Sequence, residues 1–216
     1  MTISITIIII VVTCLVSFAA FNNDKIFDEL IFYPPAIANQ NQFYRFFTCG
    51  FIHANYAHLF FNMYSLYIFG ETVEAKFVDV FGSSGKLLFL LMYVSSLYFC
   101  LLPTYGKNKT NYNYRSLGAS GAVSAVVFAF IFLEPLRSLS LIILPGLKIA
   151  GFIFGILYLV ISSVLDKRGG GNINHSAHIW GALYGISFLI IFGSFMARYH
   201  LLNSFIRQVQ SYISSF

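Results

Sequence analysis

The chain is 216 residues long, room for one domain. Hydrophobic residues make up 58% of it and charged residues only 10%, with a mean hydropathy of +0.76, which excludes an ordinary soluble enzyme and points to a polytopic membrane protein. The net charge of +5 is scattered through short loops, at Lys76, Lys86, Lys107, Lys109, Arg115, Lys167 and Arg168, and makes no patch able to neutralise successive phosphates, so nucleic acid is excluded as a partner.

A helix crossing roughly 30 Å of hydrocarbon needs about 20 largely apolar residues. Six stretches answer to that description: residues 2–21, 58–77, 86–102, 117–133, 141–165 and 177–197. The expected fold is therefore an all-α membrane protein, a bundle of six transmembrane helices forming one domain. Its first stretch, within residues 1–21, is longer than a signal-peptide core and has no Lys or Arg before it, so it reads as a retained helix. Residues 22–57 are too long and too apolar for an idle connection: Pro34, Pro35 and the clusters IFDELIFY and FYRFFTCGFI predict a partly membrane-embedded first loop. Residues 58–197 hold the other five spans, and 198–216 form a tail whose alternating polar and apolar groups suit a membrane surface. Lys and Arg divide six against seven between the two sides, which leaves orientation open. Cys14, Cys49 and Cys100 are odd in number and lack metal spacing, so free buried thiols are expected. The triplet Asn108-Lys109-Thr110 matches a glycosylation acceptor.

Polar groups inside spans are costly and mark function by default. The second span opens with His58 and Asn62, one turn apart on one helix face; the fourth opens with Gly118-Ala119-Ser120-Gly121; the sixth opens with His178. In a six-span serpentine these three spans run in the same direction, so their polar ends share one side of the membrane. A serine hydroxyl becomes a nucleophile when a neutral histidine takes its proton, and Ser120 with His178 can form that dyad. No carboxylate falls near enough to make an evident triad. The oxyanion left by attack on an amide needs aimed donors, for which His58, Asn62 and the Ser120 backbone N–H are suited, with Gly118 and Gly121 allowing close approach. Each residue also has an ordinary reading: Ser120 as a helix-packing residue, His178 as an interfacial side chain, Asn62 as interhelical glue. Their coincidence at corresponding span ends favours chemistry.

These residues resemble the rhomboid intramembrane serine proteases. RSLGASGA (115–122) is similar to the family's nucleophile motif, HANYAHLFFN (53–62) to its second-span signature, AHIWGALYG (177–185) to its final-span pattern, and GETVEAKF with the following GSSGK to the end of the second span and the loop after it. The resemblance implies a compact six-helix bundle, Ser120 as nucleophile, His178 as general base, and His58, Asn62 and Gly118 around the oxyanion. It implies no metal and no cofactor, transmembrane proteins as substrates, and the lipid bilayer as surroundings. Tyr44-Arg45 looks like the family's Trp-Arg element, and Glu74 like a structural glutamate. Two positions depart from the pattern. Ser124 stands where rhomboids often carry an aromatic that packs on the histidine, so His178 needs another ring, Trp180 or a different one; Phe128 replaces a common glycine in the fourth span.

The reading is an intramembrane serine endopeptidase in the bacterial inner membrane, with an organellar inner membrane left open. The alternative is a non-proteolytic rhomboid-like protein that binds membrane clients. A transporter in which His53, His58, His175 and His178 line a path would need metal-ligand spacing, and neither HExxH nor a carboxylate cluster is present.

Overall fold

The computed structural model describes residues 4–141, 144–168, 173–197 and 200–215. Ser4 caps α1 (Ile5–Phe21), its hydroxyl accepting from the Ile7 N–H. The following connection is helical. Asn23 caps α2 (Asp24–Leu30); Pro34 and Pro35 open α3 (Pro34–Gln40), where a missing N–H costs nothing; Asn41 ends α3 in the left-handed conformation. Next, α4 (Arg45–Thr48) runs into a 3-10 turn, Cys49–Phe51. Phe32, Ile37, Phe46 and Ile52 of this connection are buried. The buried Arg45 ties it together by donating from Nη1 to the carbonyls of Asp28 and Ile31, each at 2.8 Å.

Asn55 caps α5 (Tyr56–Phe81), Gly82 at φ 65° ends it, and α6 (Gly85–Phe99) packs along it. α7 (Leu102–Asn108) and a loop lead to α8 (Ser120–Leu133). Strands β1 (Ser138–Leu141) and β2 (Leu144–Ala150) pair as an antiparallel hairpin, Ser138 opposite Ala150. α9 (Gly151–Arg168), α10 (His175–Met196) and α11 (Leu201–Ile213) follow. α8 is the centre, packed by α5, α6, α9 and α10, and the core around it includes Leu66, Phe77, Phe89, Val126 and Leu189.

The six-span bundle expected from the sequence is not what the structure shows. Among the described residues two helical segments, Tyr56–Asn108 and His175–Met196, are long and apolar enough to cross a membrane; Ile5–Phe21 and Ser120–Leu133 are apolar but shorter. The causes are local. Gly118 at φ 105° holds the chain out of helix, so the stretch expected at 117–133 starts only at Ser120. That leaves 14 residues, rising about 21 Å against roughly 30 Å of hydrocarbon. The stretch expected at 141–165 gives its opening residues to β2, and its helix ends on Asp166-Lys167-Arg168. Residues 142–143 of that stretch, and the start of the first one, lie outside the described residues. Over the described residues the fold is helical and membrane-associated, with one small hairpin.

Candidate active site

The N-terminal ends of α5, α8 and α10 meet around a cavity of about 760 Å³, lined by Asn55, His58, Asn62, Ser116, Ser120 and His178 among others. Residues from three distant parts of the sequence are thereby brought to one place, and all five predicted site residues lie at it or against it.

Ser120 is the first residue of α8 and His178 lies one turn into α10. Their helices approach backbone to backbone along a seam of small residues, Gly121 and Ala125 against Gly181 and Gly185. Ser120 Oγ stands 2.8 Å from His178 Nε2. With the ring neutral and protonated at Nδ1, Nε2 accepts the hydroxyl proton, an arrangement able to turn the oxygen into a nucleophile. Among the described residues no carboxylate bonds His178. Asn174 sets the histidine's position. Its Oδ1 caps α10 by accepting from the Ala177 N–H at 3.0 Å and takes a second bond from Thr104 Oγ1 at 3.2 Å.

Gly118 is required twice over. Its φ of 105° suits glycine, and a Cβ there would stand 2.7 Å from His58 Cε1. The strained loop is held by the Gly118 N–H donating to the Cys49 carbonyl at 2.9 Å and the Ala119 N–H donating to His53 Nε2 at 3.3 Å. That second bond sets the His53 tautomer. Nδ1 must carry the proton and donate to Ser17 Oγ at 3.0 Å, and Ser17 donates onward to the Phe51 carbonyl at 2.8 Å. Burial, with the neighbouring His58 ring second, holds the His53 pKa down to about 3, so the ring stays neutral.

His58 and Asn62 face the cavity from α5. The Ala54 N–H points at His58 Nδ1 at 3.4 Å, which leaves Nε2–H as the donor on the Gly118 side. Asn62 is buried and spends one amide hydrogen on the His58 carbonyl at 2.9 Å, leaving its second free for a ligand. The Ser120 N–H, in the first turn of α8, belongs to the group no intrahelical carbonyl reaches. His58 and Asn62 thus line, with Ser120, one cavity wall that carries hydrogen-bond donors.

The ring over His178 is Tyr158 of α9, 6.4 Å between centroids and nearly parallel; Trp180 is 47% exposed and plays no such part. Ser124, where an aromatic was missing, bonds the Tyr158 hydroxyl at 2.9 Å. Phe128 does not disturb the α8–α10 seam: it turns toward α9, meeting Tyr158 and the space left by Gly155. Sequence reasoning overlooked Tyr158 and Asn174. An Asn just ahead of a helical run is a readable cap, whereas nothing local joins Tyr158 to Ser124.

Among the described residues no cluster of three His, Cys, Asp or Glu side chains could hold a metal ion. Glu74 is structural: its carboxylate accepts from the Ile5 and Thr6 N–H groups, each at 2.9 Å, and so caps α1. Asn108 is buried with its amide on the Thr104 carbonyl, which removes it as a glycosylation acceptor.

A Rhomboid domain matches residues 40–195. Over 166 residues the chain is 30% identical to "Putative rhomboid protease YdcA" of Bacillus subtilis (strain 168), covering 76% of this chain and 75% of that protein. It is 31% identical over 148 residues to "RHOMBOID-like protein 12, mitochondrial" of Arabidopsis thaliana, covering 62% of this chain and 42% of the relative. To "Rhomboid-like protein 11, chloroplastic" of the same plant it is 31% identical over 159 residues, covering 70% of this chain and 53% of the relative. The chain thus spans about half the length of the two plant relatives it matches. Most of its length, and every polar group gathered at the cavity, falls inside the matched region, and the chain belongs to the rhomboid family.

Proposed function

We propose that this chain is an intramembrane serine endopeptidase that cuts a peptide bond in or beside the transmembrane helix of another membrane protein. The observation that carries the proposal is the 2.8 Å approach of Ser120 Oγ to His178 Nε2 on the wall of a cavity that also presents His58 and Asn62. Ser120 Oγ bonds to the substrate carbonyl carbon while its proton passes to His178 Nε2. The new oxyanion takes hydrogen bonds from His58 Nε2–H, Asn62 Nδ2–H and the Ser120 N–H, each worth a few kcal/mol in a water-poor site. Gly118 contributes the absence of a side chain beside that oxygen. Collapse breaks the C–N bond, and His178 returns the proton to the leaving amine. A water molecule, deprotonated by the same nitrogen, then cleaves the Ser120 ester. The substrate helix has to unwind at the cut, because a helical carbonyl is bonded four residues on and covered. A bacterial or organellar inner membrane is the proposed site of action.

The test needs no substrate. A fluorophosphonate probe applied to the detergent-solubilised chain is expected to label wild type and to leave Ser120→Ala and His178→Ala unlabelled. A folded wild type that resists the probe, beside a rhomboid protease that takes it, would point instead to a client-binding member of the family.

A further inference from the structure

α11 lies at the far end of the molecule from Ser120, and only part of its apolar arc is used. Phe205 stacks on Phe132 of α8 with centroids 5.1 Å apart, Tyr212 meets Phe152 of α9 edge-on at 5.5 Å, and Leu201 fills the space left by Gly193 of α10. Rotated from that contact line, Leu202, Ile206 and Ile213 recur at spacings of four and seven, and are 42%, 42% and 62% exposed. Asn203, Arg207 and Ser211 form the polar arc beyond that stripe, also exposed. The helix is sharply two-sided, and three helix ends hold its orientation.

We propose that this outer stripe seats α11 in the boundary between lipid headgroups and acyl chains, with its polar arc in water. Two observations choose lipid as the occupant. α10 is one of the segments long and apolar enough to cross the membrane, and it ends at Met196. The four residues before Leu201 can extend no further than about 18 Å, so α11 stays near the place where that span leaves the hydrocarbon. Secondly, the stripe continues an exposed apolar surface: Ile191, Phe195 and Met196 of α10 are 55%, 86% and 46% exposed, and Leu202 adjoins Ile190 and Ser194. A helix apolar on one side and polar on the other, at that depth, satisfies both solvents only when it lies flat.

The full-length chain is reconstituted into phosphatidylethanolamine/phosphatidylglycerol vesicles, with Ile206→Cys or Ser211→Cys carrying a nitrobenzoxadiazole label. The background from Cys14, Cys49 and Cys100 is measured on the unsubstituted chain and subtracted. Shallow nitroxide lipids are expected to quench position 206 about threefold more than 211, with iodide giving the reverse order. Leu202→Cys supplies the same reading should Ile206→Cys fail to fold. Iodide reaching 206 as freely as 211 would overturn the proposal. So would a 206 label shielded from both quenchers until the vesicles are diluted with lipid, since a second copy would then be the cover.

Discussion

A Cβ placed on Gly181 would stand 2.0 Å from the carbonyl oxygen of Gly121, the residue next to Ser120. α8 and α10 therefore touch where their backbones allow no spacer, three residues beyond His178. Gly181→Ala forces the pair apart and stretches the Ser120–His178 hydrogen bond. Displacement of about 1 Å can cost about 100-fold, so the probe-labelling rate of the folded variant is expected to fall by that order. Wild-type labelling by folded Gly181→Ala would separate the seam from the chemistry.

Tyr158 and Ser124 act as one device. Tyr158→Phe keeps the ring over His178 but loses the 2.9 Å bond to Ser124, and should cost about 1 kcal/mol of stability with little change in labelling. Ser124→Ala should cost no more than that, since Ser162 still meets the Tyr158 hydroxyl. Tyr158→Ala removes the ring itself, and labelling is expected to drop about tenfold as His178 loses its orientation. Equal labelling rates for the Phe and Ala variants would mean that the ring does not position the histidine.

His53 predicts an acid-sensitive fold. Its folded pKa of about 3 lies below the ordinary value of 6.5, so between these pH values the unfolded chain binds the extra proton. Stability is then full above pH 6.5 and falls as pH drops toward 3, by at most about 1.4 kcal/mol per pH unit. Thermal unfolding in detergent at pH 7, 6, 5 and 4 should show a falling Tm. His53→Asn should start lower and fall less steeply; an identical slope in both would remove His53 as the cause.

Glu74→Ala leaves the Ile5 and Thr6 N–H groups of α1 without their carboxylate. A loss of about 3 kcal/mol is expected, seen as a lower Tm. Labelling of the protein that remains folded should stay at the wild-type rate. Glu74 sits 12 residues along α5 from Asn62, about 18 Å from the cavity. A Tm equal to wild type would show that α1 does not depend on this cap.

The gathering of Ser120, His178, His58, Asn62 and Gly118 was legible in the sequence, because each lies at a helix start marked by polar or small residues in an apolar run. The number of spans was not. Hydropathy counts apolar side chains and is blind to backbone conformation, so neither the φ of Gly118 nor the pairing of Ser138 with Ala150 could register. The partner of His178 was hidden for a different reason. Trp180 is close in sequence but points away, and Tyr158 arrives from a neighbouring helix whose registry with Ser124 is a property of packing.

The 14 residues of α8 bear on the space left beside its first residue. At the C-terminal end of this helix Glu134 forms an ion pair with Lys76, which anchors that end at a polar boundary. The shortfall of about 9 Å against the hydrocarbon thickness then falls at the Ser120 end. The cavity beside His58 and His178 opens at that same end, so the length the helix lacks is room beside the serine. Lengthening α8 by a turn ahead of Ser120 would fill that room with backbone.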